Sequence, residues 1–120
     1  MEAINAVHTY LDALTRGDLD TIVGLYADNA HIEDPVGADH VVGREAIRQF
    51  YGKSIQAITG ARLLGPVRVA SNEAAFPFEI TMNYNGQSLA MDIIDTFRFD
   101  QQGLVVEMRA FWSEANMRPA

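Results

Sequence analysis

The chain has 120 residues, 48% hydrophobic and 21% charged, which is enough for one domain, residues 1–120, with a core that folds without a covalent or metal staple. Nine Lys and Arg against sixteen Asp and Glu give a net charge of −7, and that acidity argues against nucleic acid and anionic membrane as partners. There is no cysteine, hence no disulfide or thiolate chemistry, and no apolar run reaches the roughly 18 residues of a membrane span. The acidic N-terminal stretch lacks the basic region of a secretory signal, so the expected location is cytoplasmic.

In chain order, Ile4, Val7, Leu11 and Leu14 recur at helical spacing with Tyr10 on the same stripe, and Arg16-Gly17 ends this first helix. Asp18 is the expected N-cap of a second helix, which turns Leu19, Ile22, Val23 and Tyr26 inward. An extended piece from Ala30 to Asp34 follows, stopped by Pro35-Val36-Gly37. A third helix after Gly43 presents Ile47, Phe50 and Tyr51 on one face, and Val67 and Val69, after Gly65-Pro66, begin the strands.

The pattern then switches to period two. Ala74, Phe76, Phe78, Ile80, Met82 and Tyr84 alternate with Glu79, Thr81 and Asn83, and Asn85-Gly86 marks a tight hairpin. The returning strand sets Leu89, Met91, Ile93, Asp95, Phe97 and Phe99 on one face. After a turn at Asp100 to Gly103, Val106, Met108, Ala110 and Trp112 share a face opposite Glu107 and Arg109. Helices first and strands after predict an α+β fold, with three helices packed on one face of a curved antiparallel sheet that encloses an apolar pocket.

Alternation singles out Asp95. Its same-face neighbours are all large and apolar, so its carboxyl points into the core, where an ionised and unpaired carboxylate is costly. It is either a structural acid held by a partner or a neutral carboxyl with a raised pKa that serves a site. Asp34 ends a short strand on the inward side, which suits a base reaching a bound molecule and equally suits an Asp-Pro turn. Tyr10, Tyr26 and Tyr51 all face inward; they are either aromatic core or a hydrogen-bonded set with one proton to spare.

Other chemistries find little support. His8, His31 and His40 have no metal-ligand spacing, so no metal is expected, and His40 reads as a solvated turn residue. The signatures of acyl hydrolases, P-loops and dinucleotide folds are missing.

The segments Gly17 to Ala30, Ile32-Glu33-Asp34-Pro35-Val36-Gly37, Gly43 to Tyr51, Ile94 to Phe99 and Met108 to Asn116 resemble the ketosteroid isomerase (steroid Δ-isomerase) family of the nuclear-transport-factor-2-like and SnoaL-like superfamily. The resemblance runs from about Tyr10 to Asn116. It implies a cone-shaped roll, a homodimer through the sheets, no cofactor, and conversion of hydrophobic 3-oxo-Δ5-steroids to their conjugated Δ4 isomers. It further implies Asp34 as the base that carries a proton from C4 to C6, with Tyr10 and a protonated Asp95 as oxyanion donors. Tyr26 and Tyr51 would support Tyr10, and Phe78, Met108 and Trp112 would line the steroid slot. Two other classes stay in view: a non-catalytic steroid or polyketide-binding module, and another enzyme of this superfamily. That enzyme could be a dehydratase, a cyclase or an epoxide hydrolase: a dehydratase would prefer an Asp-His pair, which His8 and His31 do not offer, and epoxide hydrolysis an Asp-Arg-Asp set, whereas Arg98 alternates away from Asp95.

Overall fold

Helix α1 (Ala3–Arg16) buries Ala6, Val7, Tyr10, Leu11, Ala13 and Leu14 along one stripe, while Ile4, expected on that stripe, is exposed in the first turn. These positions come from a computed structural model that describes all residues, Met1–Ala120. Gly17 ends α1 at φ +71°, a left-handed conformation that costs glycine nothing, and its N–H donates to the Leu14 carbonyl. Asp18 then caps α2 (Leu19–Gly24), its carboxylate accepting from the Thr21 N–H at 3.1 Å and the Thr21 hydroxyl at 2.7 Å. The helix stops at Gly24, so Tyr26 does not lie on it. Tyr26 instead opens strand β1 (Tyr26–Glu33) and is fully buried there.

Strand β2 (Val41–Val42) pairs with β1, and α3 (Arg44–Ser54) follows, burying Ile47 and Tyr51. The remaining strands are β3 (Ile58–Leu63), β4 (Arg68–Ala70), β5 (Glu73–Tyr84), β6 (Gln87–Phe99), β7 (Val105–Phe111) and β8 (Met117–Pro119). Their order is β2-β1-β7-β6-β5-β3, with β4 on β5 and β8 on β6. The sheet is mixed rather than antiparallel: β1 runs parallel to β7 in the register Glu33↔Arg109. No hairpin links these two strands, so nothing local imposes an antiparallel direction; the other pairings are antiparallel.

The β5–β6 hairpin turns at Asn85 (φ +51°) and Gly86 (φ +78°), which fixes a register in which Phe76 faces Asp95 and Phe78 faces Ile93. Away from the turn the alternation lands as expected, with Phe76, Phe78, Ile80, Met91, Ile93, Asp95, Phe97 and Phe99 all buried on the side that packs beneath the helices; Tyr84, expected on that face, is exposed at the hairpin end. On β7 a register shift opposite Arg98 and Phe99 buries Val105 in place of the expected Val106. β4 exposes all three of its residues, and β3 and β8 carry no alternation strong enough to announce them. Gly60 of β3 sits where a Cβ would lie 2.9 Å from the Thr81 hydroxyl, a close approach beside a register shift. No helix is long and apolar enough to cross a membrane.

Candidate active site

Asp34 lies one residue past the Glu33–Arg109 pair, and the Val36 N–H donates to the Ala110 carbonyl at 2.8 Å, so the end of β1 is stitched beside Ala110. On the other side of β7, Ala110 pairs with Asp95 of β6. Asp34 and Asp95 thus flank the buried Ala110, their backbones about two strand spacings (~10 Å) apart.

Their surroundings push both pKa values up. Burial raises the Asp34 carboxyl above its usual range, partly opposed by Trp112, whose indole N–H donates to Asp34 Oδ1 at 2.7 Å. Asp95 is 1% exposed and raised well above the usual range, first by burial and then by the charge of Asp34. No cation pairs with it, and its Oδ2 is buried without a hydrogen-bond partner. A neutral carboxyl in that position holds one O–H looking for an acceptor.

Three phenols converge from three elements: Tyr10 from α1, Tyr26 from β1 and Tyr51 from α3. The Tyr51 hydroxyl is 3.0 Å from that of Tyr10 and 2.6 Å from that of Tyr26. Burial raises all three well above the ordinary phenol pKa, so all keep their protons. Three hydroxyls in a row make two hydrogen bonds and leave one proton over. When the row runs Tyr26 to Tyr51 to Tyr10, that spare proton belongs to Tyr10. Tyr10 and Tyr26 are the two ends of the row, and Tyr51 is its middle. Edge-on contacts to Phe97 at 5.2 Å and Phe76 at 6.3 Å hold the Tyr10 ring.

An apolar cavity of about 380 Å³ opens beside these groups, within the range of small-molecule sites. Asp34 and Trp112 stand together in its lining; Ile93 and Met91 of β6, Ile80 and Met82 of β5, Ile58, and Phe50, Lys53 and Ser54 of α3 complete it. Tyr10 and Asp95 are not in the lining; both are buried in the core, Asp95 two residues beyond the lining residue Ile93 on the same face. Of the three expected walls, only Trp112 lines the cavity. Phe78 and Met108 point inward as alternation requires, but they are consumed by the core: Phe78 packs on Phe76 at 5.3 Å and Met108 pairs across from Phe97. The helical wall went unread in the sequence, although Lys53 and Ser54 follow Phe50 at the spacing that shares its stripe.

The outer face of the same strands is built differently. Glu33 accepts from Arg109 Nε at 3.0 Å and from the Gly37 N–H at 2.9 Å; Glu107 meets His31 at 2.9 Å and Arg98 at 3.6 Å. Glu79 is held by Arg62 at 2.9 Å and by Arg118. His40, expected to be merely solvated, stacks parallel on His31 with ring centroids 5.5 Å apart. No three His, Asp or Glu side chains gather as metal ligands.

An apolar cavity lined by a half-buried Asp34, with a row of phenols and a partnerless buried carboxyl in the core beside it, on helices over a mixed sheet, defines a small-molecule pocket of the SnoaL-like type. The SnoaL-like domain family matches residues 7–108, and the chain belongs to that family. It is similar to the steroid Delta-isomerase of Nocardioides simplex, 44% identical over 112 residues that cover 93% of this chain and 90% of that one. Among solved structures it is similar to SalBIII, an epoxide hydrolase/cyclase-like enzyme in pyran ring formation in polyether salinomycin, with a TM-score of 0.89 and 27% identity over 97% of this chain and 94% of that one.

Proposed function

We propose that this enzyme is a steroid Δ5–Δ4 isomerase in which Asp34 is the base and Tyr10 and Asp95 form the oxyanion hole. The observation that carries the reading is Asp95 Oδ2, buried and without a partner, in a site where Tyr10 also has a proton to give. Two uncommitted donors in a dry pocket call for one acceptor that becomes more negative as the reaction proceeds. The enolate oxygen of a 3-ketone is such an acceptor.

Asp34 removes the proton from C4 and the electron pair moves into the ketone, giving a dienolate held by the two O–H groups. The dienolate then takes the same proton back at C6, so the double bond enters conjugation and Asp34 returns to its starting state. Burial makes Asp34 a stronger base than a solvated aspartate, and the Trp112 N–H keeps it oriented. Tyr51 and Tyr26 strengthen Tyr10 as a donor by hydrogen bonding to its oxygen in sequence. The similarity to the Nocardioides simplex steroid Delta-isomerase supports the choice of a steroid substrate. The reading includes a homodimer through the outer face of the sheet, supported by Ile94 and Phe111, a cross-strand pair 49% and 43% exposed. An Asp-Arg-Asp epoxide-opening set is not favoured, because Arg98 is on the outer face with Glu107.

The test is to mix the protein with 5-androstene-3,17-dione and follow the ultraviolet band of the conjugated enone. Growth of the band is expected, and Asp34→Asn is expected to slow it by about 10²–10⁴-fold with folding intact. Steroid binding without any growth of the band, or undiminished turnover in Asp34→Asn, overturns the isomerase.

A further inference from the structure

The cavity has a second polar end that the proposed chemistry leaves unused. Phe50, Lys53 and Ser54 share one stripe of α3, and along it the side chains pass from half-buried Phe50 to exposed Lys53 and Ser54 in the helix's last turn. The sheet wall runs the same way. From Asp95, opposite Phe76, it passes to Met91, opposite Ile80, about 13 Å along β6, and then to Met82, opposite Ile58. Lys53 therefore stands at the end of the cavity remote from Asp95.

It is the chain's only lysine, in a protein of net charge −7. Every arginine except Arg68 has a carboxylate within 4.0 Å, and Lys53 has none. An apolar cavity by itself cannot decide which end of a long, rigid ligand goes in first. A carboxylate at one end of the site and an ammonium at the other decide it for a ligand that carries a negative charge: entry charge-first is repelled by Asp34, and entry ketone-first brings the charge to Lys53.

We propose that Lys53 is a subsite for a carboxylate carried at the end of the ligand remote from its reacting ketone. The substrate class is then a 3-oxo-Δ5-steroid with an acidic group on its far ring, an inference that rests on the isomerase reading for the ring frame but not for the charge. A lysine in the last turn of a helix also complements the helix dipole. That role alters stability; it gives no discrimination between a charged ligand and its neutral ester.

The experiment compares dissociation constants of a 3-oxo-Δ4-steroid-17β-carboxylic acid and its methyl ester, for the unmodified protein, Lys53→Met and Lys53→Arg, at low and high salt. The acid-to-ester preference is expected to fall about fivefold in Lys53→Met, the upper end for a solvent-exposed ion pair, to be restored in Lys53→Arg, and to weaken with salt only where the cation is present. An unchanged preference in folded Lys53→Met overturns the subsite, as does failure of the acid to bind the unmodified protein. Turnover of the neutral dione is scored separately. A dione that binds but is not isomerised removes the isomerase and leaves the subsite to stand or fall on the two dissociation constants.

Discussion

Glu33 and Asp34 are consecutive carboxylates, yet the two faces of the sheet treat them in opposite ways. Glu33 turns outward to Arg109 and the Gly37 N–H, which hold its carboxyl below the ordinary range. Asp34 turns toward the cavity, where burial raises it and a single indole N–H is its hydrogen-bond donor. The contrast repeats along the sheet: Glu79 and Glu107 are lowered by arginines and a histidine, whereas Asp95 is raised by burial with no cation to answer it. One set of strands thus answers its outer acids with cations and leaves its two inner carboxyls to burial. The difference teaches that pairing follows the face: Glu33, Glu79 and Glu107 meet arginines outside, and Asp34 and Asp95 meet none inside.

The comparison can be broken from either face. The largest effect belongs to the inner one. Tyr10→Phe removes the spare phenol proton and is expected to lower the isomerisation rate by about 10²–10³-fold, read in the same enone assay, with little change in thermal unfolding. Loss of only two- or threefold would mean that Tyr10 is core rather than donor.

Asp95→Asn keeps the shape and cannot ionise. Because the folded-state pKa of Asp95 is raised, the folded protein holds a proton that the unfolded chain releases. Stability from this group is therefore complete at low pH and is lost as pH rises from the ordinary aspartate range toward the folded value. Denaturant titrations across pH should show Asp95→Asn gaining on the parent by up to about 1.4 kcal/mol for each pH unit in that window. Parallel curves would mean that Asp95 is already ionised in the fold.

The smallest effect is on the outer face, with the opposite slope. Glu33 has a lowered folded pKa, so its contribution is present above the ordinary glutamate range and is lost as pH falls through the folded value. Glu33→Gln should lower stability slightly at neutral pH in the same titrations and converge with the parent in acid. A cost that persists in acid would assign Glu33 to packing rather than charge.

The strands that carry the site were legible because period two assigns a face to every residue: Asp95 among Met91, Ile93, Phe97 and Phe99 could only point inward. The helical period did the same for Tyr10 and Tyr51. Tyr26 was placed inward correctly but on the wrong element, since Ile22, Val23 and Tyr26 also fit one more helical turn; the helix ends at Gly24 instead. Alternation gives the face but not the depth, so Phe78 and Met108 could not be told from cavity walls. The parallel β1–β7 pairing joins residues more than 70 positions apart, and no local pattern encodes it. Lys53 went unremarked because a charged residue at a helix end ordinarily signals only solvent.

Ala110 gives the site its scale. Because Asp34 follows the last residue of β1 and Asp95 lies on β6, the span between them is gauged by the width of β7. A ladder changes only in whole steps. A pocket gauged this way can be reshaped at its mouth by ordinary substitution while its Asp34 end keeps one fixed measure, so variety among its ligands is expected in what they carry far from Asp34.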